Sequence, residues 1–173
     1  PYYTPTRISS VTPMTTSTQQ YDSSALFSEN LSGNGQELII AGRASPNGSS
    51  YSTYNLSIFS WVNGSLTNKT NQWFTGSDNV IMGTEPSVKF GDFNGDGKLD
   101  IAMTALQSVG TLLGNGDGTF DAAVYSPVGL GTGGFVLEDF DGDGKQDVAV
   151  TENDTDLLAI VFGDGAGSFG SRV

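Results

Sequence analysis

Apolar residues in this chain come in short runs closed by glycine, asparagine or aspartate, and nowhere do they return at a helical period. Leu38-Ile-Ile-Ala41, Ser57-Ile-Phe-Ser-Trp-Val62, Ile101-Ala-Met-Thr104, Val148-Ala-Val-Thr151 and Ile160-Val-Phe162 have strand length and strand composition, rich in β-branched and aromatic residues. Several run straight into turn residues: Asn63-Gly64, Gly114-Asn-Gly-Asp-Gly118 and Gly163-Asp-Gly-Ala-Gly167. Apolar run, glycine-rich turn, then Leu66, Phe120 or Phe169 predicts a tight hairpin each time. The predicted class is all-β, and 24 glycines agree with many tight turns.

The strands repeat as a unit. Asp92-Phe-Asn-Gly-Asp-Gly-Lys-Leu-Asp100 recurs 47 positions later as Asp139-Phe-Asp-Gly-Asp-Gly-Lys-Gln-Asp147, and each copy enters an apolar run. Side-chain oxygens fall at loop positions 1, 3, 5 and 9, a glycine at position 6 allows a sharp turn, and position 7 offers its carbonyl. Such crowded carboxylates repel one another unless a cation neutralises them. Many flexible oxygens suit calcium better than magnesium, which demands tighter geometry and keeps its water. An EF-hand or dockerin loop needs a later acidic ligand and a helix. Position 12 is Met103 or Val150, and the run around it reads as strand. The unit is therefore strand, calcium loop, strand, strand, glycine turn and a fourth strand, a period expected of propeller blades. Asp117 and Asp164, in the glycine turns, are explained by the turns themselves.

The paired loop and the Gly-x-Gly-x-Gly-x-Phe turn resemble the FG-GAP or VCBS repeats of integrin-α-type β-propellers, well matched over about residues 87–173. The resemblance implies a calcium ligand set of Asp92, Asn94, Asp96, Asp100 and the carbonyl of Lys98. In the second copy it implies Asp139, Asp141, Asp143, Asp147 and the carbonyl of Lys145, hence two calcium sites. It also implies that Phe93 and Phe140 point into the core between blades, with Glu138 solvated. A decayed copy precedes these two: Leu31-Ser-Gly-Asn-Gly-Gln-Glu-Leu-Ile-Ile-Ala41 has lost most carboxylates, and no calcium is expected there. The longer spacing from Asn34 to Asp96 places an insertion in this blade, at residues 43–54.

Three blades, at about 25–80, 87–130 and 135–173, make an incomplete or open propeller, since closed ones use about four to eight. The chain opens on Pro1 and its first methionine is Met14, as in a processed or excerpted polypeptide. Residues 1–24, eleven of them Ser or Thr and three Pro, read as an arm preceding the domain at 25–173. The arm is either a stalk or an extended segment that adds a strand to a neighbouring subunit.

Charge narrows the partners. The net charge is −12, and seven of the 19 acidic residues lie in the two loops. That balance excludes nucleic acid and anionic membrane surfaces, and no stretch reaches the roughly 20 apolar residues of a membrane helix. There is no cysteine and no histidine. The usual general base and thiol nucleophile are thus missing, and no carboxylate pair stands out for glycoside hydrolysis. No enzyme is expected.

Six Asn-x-Ser/Thr sequons occur, at Asn30, Asn47, Asn55, Asn63, Asn68 and Asn153, where about two or three would arise by chance. With calcium loops suited to the medium outside cells, they suggest a secreted, cell-surface glycoprotein. The expected function is a non-enzymatic structural or adhesive module that assembles with like subunits, as a filament or other assembly subunit, or docks to other extracellular proteins. The alternative is a carbohydrate-binding module or the accessory domain of a secreted enzyme. Of the aromatics Tyr51, Tyr54, Trp61 and Trp73, Trp61 is expected in the core and Trp73 to stack on a sugar.

Overall fold

The computed structural model describes residues 20–35, 37–45, 54–62, 65–74, 87–105, 107–129, 132–152 and 155–172. These form three four-stranded antiparallel sheets. The first holds β1 (Gln20–Glu29), β2 (Glu37–Ser45), β3 (Tyr54–Val62) and β4 (Ser65–Asn68). One helical turn, α1 (Thr70–Trp73), comes next. The second sheet holds β5 (Val88–Gly91), β6 (Asp100–Ala105), β7 (Ser108–Leu112) and β8 (Val124–Pro127). The third holds β9 (Thr132–Glu138), β10 (Asp147–Glu152), β11 (Leu157–Gly163) and β12 (Phe169–Arg172). Each is a meander in chain order, the arrangement of a propeller blade.

Equivalent strands keep equivalent registers. Ile101 pairs with Leu112 and Thr104 with Val109 in the second sheet, as Val148 pairs with Val161 and Thr151 with Leu158 in the third. Every residue of β6 is buried. A strand alternates apolar with polar only when one face meets water, and β6 has a sheet against each face. This is why Ile101-Ala-Met-Thr reads as an unbroken run.

The sheets stack through two apolar layers. Leu31, Leu56 and Ile58 of the first pack with Val88, Ile101, Met103, Leu112 and Phe120 of the second. Phe93, Ala102 and Val109 of the second pack with Phe135, Val148, Val150, Val161 and Phe169 of the third. Aromatic contacts reinforce the first layer, Phe27 edge-on to Phe90 at 5.5 Å and Phe74 stacked on Phe120 at 5.7 Å. The three blades do not close.

Several expectations change. Phe93 is buried, but Phe140 is 43% exposed. Leu31 and Phe93 pack onto the following blade, and among the described residues no sheet lies against Phe140. Trp61, expected in the core, is 55% exposed, because it lies at the β3–β4 end where no sheet covers it. Strand β1 starts at Gln20, so residues 20–24 belong to a blade instead of the arm. Residues 1–19 lie outside the described residues. The extra length of the first blade is split between the β2–β3 hairpin, paired as far as Arg43 with Tyr54, and the span between β4 and β5 that contains α1.

Truncating Phe93 to alanine should cost about 3–5 kcal/mol, the cost of emptying a buried aromatic site, whereas Trp61→Ala should stay within about 1 kcal/mol. Urea unfolding of both variants checks this, and equal losses would refute the stacking of blade on blade.

Candidate metal centre

The acidic loops join β5 to β6 and β9 to β10, so that position 9 is also the first residue of the inner strand. Both fold alike. The position-1 aspartate accepts three backbone N–H groups: Asp92 from Gly95 at 2.7 Å, Asp96 at 3.1 Å and Gly97 at 2.8 Å. Asp139 accepts from Gly142, Asp143 and Gly144 at 2.7, 3.1 and 2.9 Å. The position-3 side chain, Asn94 or Asp141, accepts the next N–H but one at 3.0 Å. Gly97 and Gly144, at position 6, have φ of 81° and 87°, a left-handed turn that a side chain would strain.

Position 9 differs in kind. Asp100 is fully buried and accepts N–H of Phe93 through one oxygen and N–H of Gly114 through the other, both at 2.8 Å. Asp147 does the same with Phe140 at 2.9 Å and Gly163 at 2.8 Å. Each therefore ties the start of its loop to the turn of the next hairpin. Burial, followed by the charges of Asp96 and Asp92, pushes the Asp100 carboxyl up, while its two N–H donors oppose the shift. A cation beside it would relieve the same repulsion.

In the second loop the carboxylate oxygens of Asp139, Asp141 and Asp147 lie within 4.8 Å of one another, a spacing that can hold a metal ion. Oxygen donors alone suit a hard cation. Asp143 stands outside this triad. Its oxygens accept from Lys145, from the backbone N–H at 2.9 Å and the ammonium at 2.7 Å, and Lys145 holds the carboxyl below its usual range. Asp96 and Lys98 pair in the same way at 2.9 Å. In the first loop, position 3 is the amide Asn94, so one carboxylate fewer faces the site.

The first blade keeps the loop-start half of the staple, with a different residue. Glu37 is buried and accepts from Leu31 N at 2.8 Å and Ser32 Oγ at 2.7 Å. The loop is one residue shorter here, and the extra methylene of glutamate spans the difference. Asn30 stands at position 1 and accepts from Gly35 N at 3.2 Å. The role of Glu37 is not evident from the sequence because its neighbours no longer match the repeat; the apolar run after it was the available signal.

Asp117 and Asp164 serve their turns, accepting from Thr119 and from Ala166 and Ser168. Glu138 is exposed. Among the sequons, Asn30 and Asn68 are exposed and Asn55 lies in β3. Asn47, Asn63 and Asn153 fall outside the described residues, as does the side chain of Trp73. Among the described residues, no helix is long and apolar enough to cross a membrane.

Asp100→Ala, assayed in EDTA, should cost about 2–5 kcal/mol, because two buried N–H groups lose their acceptor at about 1–3 kcal/mol each. Asp117→Ala, in an exposed turn, should leave the unfolding midpoint close to that of the unaltered chain. Equal unfolding midpoints in urea would refute the staple.

Comparison with known proteins agrees with this geometry. The profile of the FG-GAP-like repeat matches residues 30–103 and 92–150. A solved lectin from Agrocybe aegerita, described for its specific recognition of non-reducing terminal N-acetylglucosamine, is similar in fold with a TM-score of 0.50 and 20% identity. The similarity covers 87% of this chain and 37% of the lectin, so the chain spans little more than a third of that protein's length. No curated protein matches at a significant level.

Proposed function

We propose that this chain, which belongs to the FG-GAP-like repeat family, is a non-enzymatic calcium-binding module of an extracellular protein, structural or adhesive in role, that self-assembles or docks to other extracellular proteins. The observation that carries the reading is the pair of matching oxygen-lined loops, one with three carboxylates converging within 4.8 Å. Asp139, Asp141 and Asp147 would hold calcium in the second loop, with Asp143 released from Lys145 to join them. Asp92, Asn94, Asp96 and Asp100 would do so in the first. Bound calcium supplies charge neutralisation, and it stiffens the loop that carries Phe93 onto the next blade. The absence of cysteine and histidine from the sequence supports a binding role over catalysis.

Calcium at about a hundred times its Kd should stabilise the fold by about 2.7 kcal/mol, a rise in Tm of about 5–10 °C for a chain of this length. Asp141→Ala should remove much of that rise. A melting curve identical in calcium and in EDTA would end the calcium reading.

A second reading is carbohydrate binding. It is favoured by a groove of about 410 Å³ between the second and third blades, lined by Lys89, Phe90, Asp92, Val136 and Gln146 among others. Charged and amide groups beside an aromatic ring suit sugar hydroxyls and sugar faces. A glycan array tests it: binding lost in Gln146→Ala would locate the sugar in this groove, loss in Trp73→Ala would locate it at α1, and no binding by the unaltered chain would remove the reading.

A further inference from the structure

The two acidic loops share one backbone frame and carry two different sets of charges. The position-1 aspartate accepts at 2.7, 3.1 and 2.8 Å in the first loop and at 2.7, 3.1 and 2.9 Å in the second. At position 3, Asn94 and Asp141 each accept one N–H, from Asp96 and Asp143, at 3.0 Å. The glycines at positions 4 and 6 turn left-handed in both, with φ of 77° and 81° against 82° and 87°. At position 7, Lys98 and Lys145 pair with the carboxylate two residues back. Acids outside the ligand sets balance as well. Asp117 and Asp121 act on Lys98 beside the first loop, while Glu138 precedes the second loop and Asp164 acts on Lys145. What differs is position 3, an amide in one loop and a carboxylate in the other, so the ligand sets carry three and four carboxylates.

We propose that the two loops are unequal calcium sites that fill in order, the second loop first and the first only at higher calcium, with Asn94 setting the gap. This rests on the calcium reading above and assigns each site its range. The affinity of an oxygen cage for calcium is tuned by the charge of its ligands and by its rigidity. The frames match here, so charge decides. An amide oxygen attracts the ion through its dipole alone, whereas a carboxylate in the same place adds a full Coulomb attraction at contact distance. Without an ion the second loop also holds the greater mutual repulsion, which binding relieves. Both effects have the same sign. The acids outside the ligand sets do not touch the ion, and water and salt screen them.

The order has a structural consequence. The first loop carries Phe93, 6% exposed, into the layer between the second and third blades. Asp100, of the same ligand set, accepts the N–H of Phe93 at 2.8 Å. The weaker site therefore governs that joint: calcium first stiffens the loop of the third blade, and only a further rise braces the second blade against the third. With aspartate at position 3 of both loops the response would collapse into a single step.

The test is a calcium titration of the full chain, begun in EDTA and followed by heteronuclear NMR at the amides of Gly97 and Gly144, the position-6 residue of each loop. Gly144 should reach its midpoint at about a tenth of the calcium that Gly97 needs, or less. Asn94→Asp should bring the Gly97 midpoint down to that of Gly144, and Asp141→Asn should raise the Gly144 midpoint to that of Gly97. The double exchange should reverse the order. Each substitution is isosteric and keeps the N–H acceptor, and circular dichroism in EDTA checks the fold. Asp141→Asn only removes repulsion, so it folds wherever the unaltered chain does. Asn115→Asp adds the same charge in the glycine turn, outside the ligand set, and should move the Gly97 midpoint by less than about twofold. Coincident midpoints, Gly97 responding first, or Asn115→Asp matching Asn94→Asp would each overturn the proposal and leave calcium binding standing. If neither glycine responds at millimolar calcium, the calcium reading itself fails and the order with it.

Discussion

A carboxylate sealed from water stands at the root of every blade, and the rest of the structure is arranged around it. Asp100 and Asp147 each bind two backbone N–H groups that are neighbours only in space, one at the loop start and one in the next hairpin. Burying an ionised group is costly unless its lone pairs are met, and here both oxygens are met. That bond fixes where the inner strand begins. From there the register is set, and with it which side chains face each neighbouring sheet.

The cation loops are built outward from the same point. The position-1 aspartate collects three N–H groups in the exposed part of the loop, which curls the backbone, and in the second loop positions 1, 3 and 9 come together. Position 5 is kept apart by its own lysine two residues on. The hydrogen bonds within the loop thus turn its oxygens toward a place where a cation would be welcome.

Much of this was legible in the sequence, because the repeat is dense in residues with narrow roles. Glycine at position 6, carboxylates at 1 and 9 and the Gly-x-Gly-x-Gly-x-Phe turn each have few structural uses, and they dictate the β-meander with its hairpins. What could not be read was context beyond one unit. Phe93 and Phe140 occupy the same place in the repeat, yet one is core and the other exposed, because burial depends on the next blade and not on the local pattern. Trp61 looked like core for the same reason: an apolar strand does not say which of its ends reaches past the neighbouring sheet. The staple role of position 9 was hidden behind its expected role as a ligand, since one aspartate satisfies both descriptions.

Glu37 carries the longest consequence. In the first blade the acidic loop has shortened and lost its carboxylates at positions 1, 3 and 5, yet the buried acid persists with one more methylene and still grips the loop start. The strand start and the acidity of the loop are therefore separable: the buried acid of the first blade holds the loop start although the loop before it carries no other carboxylate. Substitution at the exposed loop positions changes the local charge of a blade without touching the acid that sets its inner strand.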